Sequence, residues 1–119
     1  MALLMTTRRL DGVNIVHLRG DILFGEESSS LFNLVKDLLH KNPQIVLDLT
    51  DVTRIDSSGL GTLVALHVSA RKLGSGIKLA NLGEHAREAL HITRLEKVFE
   101  IFGDTQGAIA SFKVPTAKG

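Results

Sequence analysis

The sequence contains no cysteine, which excludes disulfide staples and thiolate metal sites and leaves a reducing cytosol permitted. It also lacks an excess of either charge: 14 lysines and arginines against 13 aspartates and glutamates give a net charge of +1. Binding to nucleic acid or to an anionic membrane ordinarily rests on a basic excess, so neither is expected as a partner, and other proteins are. Long apolar runs are missing too. No stretch approaches the ~20 apolar residues that span a bilayer. The short apolar cluster ahead of Thr6, Thr7, Arg8 and Arg9 falls short of a signal-peptide core. A soluble, cytoplasmic protein is the expectation. There is no internal repeat and no low-complexity stretch, and 119 residues suit one domain with a modest core.

The chain is patterned in alternating periods. Val13 to Leu18 reads as a β-branched strand between Gly12 and Gly20, with Leu3 to Leu10 as its hairpin partner. From Glu26 the period becomes helical, because Leu31, Leu34, Val35, Leu38 and Leu39 follow i, i+3, i+4, i+7, i+8. Glu26 and Glu27 complement the positive end of that helix, and His40 and Lys41 the negative end. After Pro43, the run Ile45, Val46, Leu47 is of the kind buried on both faces of a parallel sheet. A polar loop is expected next. A second helix then starts near Ser57 and stops near Leu73, at Gly74 and Gly76. Ile77 to Ala80 predicts a strand, Glu84 to Ile92 a helix, Val98 to Phe102 a strand, and Asp104 to Phe112 a helix capped by Asp104 or Thr105. Strands alternating with helices imply right-handed crossovers and a mostly parallel sheet with one antiparallel edge. The domain is placed at residues 1–112, with 113–119 as a frayed C-terminal tail.

The stretch Ile45 to Gly61, IVLDLTDVTRIDSSGLG, resembles the signature of the STAS family. More narrowly, it is similar to the bacterial anti-sigma factor antagonists, whose LDL-type strand precedes DSSG or DSTG. The resemblance implies an α/β fold, a single STAS-like domain of order ββαβαβαβα with helices packed against the sheet. It implies that Ser57 is the phosphorylated residue, with Asp56, Ser58, Gly59, Leu60 and Gly61 forming the phosphorylation loop and partner-binding surface. It further implies a non-enzymatic switch. Unphosphorylated, the domain binds an anti-sigma factor that is also an ATP-dependent serine kinase, and a sigma factor is released. Phosphorylation of Ser57 ends binding, and a serine phosphatase resets the protein. ATP belongs to the kinase, and no cofactor is expected of this chain. A STAS scaffold of the stressosome kind, or a cytoplasmic accessory domain of a transporter, is the alternative reading.

The residues fit a switch on physical grounds. A serine at a helix start lies beside N–H groups without intrahelical partners, where an anion is favoured by roughly 0.3–1 kcal/mol. Phosphorylation there need not disturb the free domain. A partner carboxylate at ~4 Å meets repulsion of roughly 4 kcal/mol per charge pair at an effective dielectric near 20, enough to release a complex. Gly59 and Gly61 remove side chains beside the hydroxyl and let another surface approach. The plainer reading is that Ser57 caps the helix while Asp56 orders the loop. Either serine is able to cap, and spacing alone does not choose between Ser57 and Ser58.

One departure from the family pattern lies after Leu18, where antagonists commonly carry Gly-Glu-Leu-Asp and this chain has Gly20, Asp21, Ile22, Leu23, Phe24 and Gly25. Asp21 keeps the acidic position and joins the candidate partner-binding residues. The Ile22-Leu23-Phe24 cluster either contacts a partner or a second copy of this chain as a homodimer, or anchors the loop to the core. In the second helix, Leu60, Leu63, Val64, Leu66, Val68, Ala70 and Leu73 spread beyond the ~100° stripe of one buried face. Either Leu66 or Leu73 joins a partner patch beside Ser57, or neighbours pack the helix on two sides. His67, near the centre of that sector, reads as a packed, hydrogen-bonded core residue.

Other patterns carry no chemistry. Ser69 and Lys72 spell SxxK without the companion motifs, no GxSxG elbow is present, and GSGIK at Gly74 to Lys78 lacks P-loop spacing. His85, Glu88 and His91 read as surface residues, and no metal site is expected.

Overall fold

The computed structural model describes residues 3–113. Strands β1 (Leu4–Leu10) and β2 (Val13–Ile22) form an antiparallel hairpin. Its two-residue turn, Asp11 and Gly12, takes φ of 53° and 78°, as a hairpin turn matched to strand twist requires. Then follow α1 (Glu26–Lys41), β3 (Ile45–Ile55), α2 (Ser57–Lys72), β4 (Ile77–Ala80), α3 (Glu84–Ile92), a 3₁₀ turn (Leu95–Lys97), β5 (Glu100–Phe102) and α4 (Thr105–Ser111). The sheet order is β1-β2-β3-β4-β5, and every pair after the first is parallel. This is the expected α/β order ββαβαβαβα.

Side-chain alternation divides the core in two. Val16, Leu18, Leu47, Leu49, Ile77 and Leu79 meet the apolar stripes of α1, α2 and α3, including Leu31, Val35, Leu63, Leu66 and Leu90. Among the described residues, the opposite face is covered by α4 alone, through Ala108 and Ile109 against Val13, Ile15, Val46 and Ala80. Strand β1 is an edge, exposed at Leu4 and from Thr6 to Leu10.

Two expectations need correction. Thr50 to Ile55, expected as a polar loop, is a continuation of β3 that pairs with β2 as far as Ile22↔Ile55. The last strand begins at Glu100 rather than Val98, because the 3₁₀ turn occupies Leu95–Lys97 and Phe99 turns inward to 5% exposure. The end of α2 is as expected: Gly74 takes φ of 80°, and the bonds Ser75 N–H to Ala70 O (2.9 Å) and Gly74 N–H to Arg71 O (3.0 Å) close a Schellman motif. Of the expected tail, Lys113 alone lies among the described residues, its ammonium 3.3 Å from Asp11.

Candidate functional site

The site is built where β2 and β3 outrun the rest of the sheet. Pairing of β3 with β4 stops at Asp48↔Ala80, and β1 reaches only Arg19. Gly20 to Ile22 and Val52 to Ile55 therefore continue as a ribbon that delivers the start of α2 to the edge of the molecule. Two register shifts, between His17 and Arg19 and between Gly20 and Asp21, bend it.

Asp56 is the N-cap of α2 and uses both carboxylate oxygens: Oδ1 accepts from Gly59 N–H at 2.8 Å and Oδ2 from Phe24 N–H at 2.9 Å. These two donors, Gly59 first, hold its carboxyl below the ordinary value. Neither serine makes this cap. Ser57 is the first helical residue and is exposed, whereas Ser58 is half-buried.

The two glycines differ. A Cβ on Gly59 would stand 2.3 Å from the Ile22 carbonyl oxygen, so this glycine is what lets α2 seat against the end of β2. Gly61 has open space around it and is exposed. The open approach expected of both belongs to Gly61 alone. Leu60 is buried in the core.

Asp21 is 3% exposed. Its carboxylate accepts from Arg54 Nη2 at 2.7 Å, and that hydrogen bond lowers its pKa. What the surface presents there is the guanidinium. Of the apolar cluster, Ile22 is fully buried, whereas Phe24 is 81% exposed. One anchors the loop and the other leaves the core. The loop is fixed by Ser28, whose N–H and Oγ both donate to Leu23 O, at 3.2 and 2.8 Å. The sequence left Phe24 ambiguous and gave no notice of Arg54; the signal for Arg54 is a lone arginine two residues ahead of Asp56, on the strand opposite Asp21.

Leu66 is fully buried and Leu73 is half exposed, so a surface patch on α2 retains Leu73 and loses Leu66. His67 packs as expected: its Nδ1 accepts from Ile77 N–H at 3.1 Å, its ring lies edge-on to Phe99 at 5.1 Å, and burial lowers its pKa. Around α3, Glu84, His85, Arg87, Glu88, His91 and Glu96 line an open depression of about 630 Å³. Among the described residues no group of histidines and carboxylates has a metal-holding arrangement, and no helix is long and apolar enough to cross a membrane.

This sheet, with a serine exposed just past a capping aspartate, defines a class of domain. Residues 5–108 match the model of the STAS domain, and the chain belongs to that family. It is 31% identical to the anti-sigma-B factor antagonist of Bacillus subtilis over 72 residues, which are 60% of this chain and 66%, just under two thirds, of that relative. A Thermotoga maritima protein assigned as an anti-sigma factor antagonist superposes with a TM-score of 0.86 at 25% identity, over 92% of this chain and 95% of the other. The anti-sigma factor antagonist SpoIIAA shares the fold at 12% identity. Its unphosphorylated form gives a TM-score of 0.78 over 92% of this chain and 96% of the other, and the phosphorylated Bacillus form 0.71 over 92% and 99%.

Proposed function

We propose that this STAS domain is a partner-switching anti-sigma factor antagonist whose state is set by phosphorylation of Ser57. With Ser57 free, the surface made by the start of α2 and the Phe24 loop binds an anti-sigma factor that is also an ATP-dependent serine kinase, and a sigma factor is released. Phosphate on Ser57 ends that binding, and a serine phosphatase restores it. The observation that carries this reading is the division of labour at the start of α2: Asp56 makes the cap, which leaves the exposed Ser57 free of it. Addition of about −1.5 to −2 charges there therefore costs the fold no cap, while a partner carboxylate nearby is repelled.

Phe24 supports the same surface. An aromatic ring presented at 81% exposure by a backbone already fixed to Asp56 loses little freedom on docking, which is how interface anchors gain affinity. Relatives that carry the name anti-sigma factor antagonist add to this support.

Intact mass and peptide mapping of the protein from its own cells test the reading, followed by binding of wild type, Ser57→Ala and Ser57→Asp to the copurifying kinase. A single phosphate on Ser57 is expected, with the complex kept in Ser57→Ala and lost in Ser57→Asp. An unmodified Ser57, together with equal binding by both variants, removes the mechanism.

A further inference from the structure

On the sheet face that α4 leaves partly open, the His17 ring lies between two carboxylates of β3. Its Nδ1 is 3.1 Å from Asp48 Oδ2 and its Nε2 is 2.8 Å from Asp51 Oδ2. A carboxylate only accepts, and a neutral imidazole has one N–H and one lone pair. Both contacts are hydrogen bonds only when both ring nitrogens carry protons. The neutral ring turns one of them into a lone pair facing a carboxylate.

The position of this ring matters more than its partners. His17 pairs with Asp48 and Arg19 with Asp51, so the first register shift of the β2–β3 ribbon falls between them. The ring spans that shift. Below it β3 is held on both sides, and above it the sheet no longer includes β4. Asp48 is itself fixed, accepting from Thr50 N–H and Oγ and from Asn81 Nδ2, with Asn81 also bonded to Thr105 of α4. Asp51 is half exposed and has His17 as its hydrogen-bond partner.

We propose that His17 is a pH-sensitive lock: the doubly protonated ring staples Asp48 to Asp51 across the register shift, and its deprotonation frees the ribbon that carries the start of α2. The lock is a property of the fold and does not depend on the modification of Ser57.

Charged groups around the ring are consistent with this assignment. The carboxylates come from β3; on β1 the residue opposite His17 is Thr6, with Arg8 opposite Ile15 on the same face, and Arg19 follows on β2. Among the described residues neither arginine takes part in the His17 ion pairs. The hydrogen bond to Asp48, opposed by burial and helped by Asp51, raises the pKa of His17 above 6.5. A group raised on folding contributes fully below its unfolded value and loses that contribution as pH rises through the folded one. The lock is therefore closed below 6.5 and opens as the pH rises through the folded value, which lies above it.

The test is an NMR titration of the histidine rings, together with amide-exchange protection factors at Val52 to Ile55 relative to Ile45 to Leu47, in wild type, His17→Gln and Asp51→Asn. In wild type the His17 ring should titrate above 6.5, and Asp51→Asn should lower that value. The distal-to-core protection ratio should fall as the ring deprotonates, by at most about tenfold per unit of pKa elevation. In His17→Gln the ratio should be low and flat, since a neutral amide does not titrate, while protection of Ile45 to Leu47 reports that the variant still folds. A His17 ring that titrates at or below 6.5, or a ratio that does not change through the titration, overturns the proposal. So does a pH dependence that survives in His17→Gln.

Discussion

From Ile45 to Asp48, β3 is paired with both β2 and β4 and, like Leu49 just after it, every residue is buried; from Thr50 to Ile55 it has β2 alone beside it, and only Val52 and Ile55 are buried. The first half is held by neighbours on both sides. The second is a two-stranded ribbon, marginal by itself, that depends on a few discrete ties: Arg54 to Asp21, the Asp56 N–H to Ile22 O at 3.3 Å, and the carboxylate of Asp56 to Phe24 and Gly59. The protein thus separates what folds it from what it presents. A site on such a ribbon is able to loosen without the core loosening too.

Cutting into each half distinguishes them. Leu47→Ala, at a fully buried position, should cost about 3 kcal/mol and lower stability everywhere. Gly59→Ala forces a methyl against the Ile22 carbonyl and should cost about 2 kcal/mol, with amide protection lost first at Ile22 and Val52 to Ile55. Uniform loss of protection in Gly59→Ala would mean that the two halves are one unit.

A smaller effect is expected from Asp56→Ala, which removes the cap for about 1–2 kcal/mol at neutral pH. The folded pKa of Asp56 lies below its ordinary value, so its contribution is present above about 3.9 and is lost as pH falls through the folded value. Urea unfolding at pH 7 and at pH 2–3 should show the gap between wild type and variant closing in acid. A gap of equal size at both would show that the carboxylate acts through shape rather than charge. Smallest of all is Ser57→Asp, which should change the melting stability by less than about 0.5 kcal/mol. A larger loss in calorimetry would tie Ser57 into the fold it is proposed merely to adorn.

The sequence is most legible where an apolar period ends at a glycine or proline. The stripe of α1, the stop at Gly74 and the short buried strand at Ile77 are local signals. It is least legible over Thr50 to Ile55. There the two register shifts displace the alternation, so the buried positions fall at Leu49, Val52 and Ile55, a spacing of three that does not resemble a strand. Gly59 was open to misreading for a related reason. Its constraint comes from the Ile22 carbonyl, distant in sequence, while its neighbours suggest access. The His17 cluster joins residues 31 and 34 apart, beyond the reach of any pattern along the chain. At the candidate site, the DSSG segment singles out Asp56 and Ser57 as candidates, but the division between the residue that caps and the residue that is exposed appears only in three dimensions.

The edge formed by β1 has a consequence for crowded solutions. Along its seven residues the backbone groups that face away from β2 have no strand beside them, an invitation to stack further strands and, in the end, to aggregate. Arg8 and Arg9 sit on that border, exposed, and cationic side chains there discourage the addition of strands. The partner exchange proposed for this domain would have particular need of such a guarded margin, since a surface that accepts strands indiscriminately would compete with the choice.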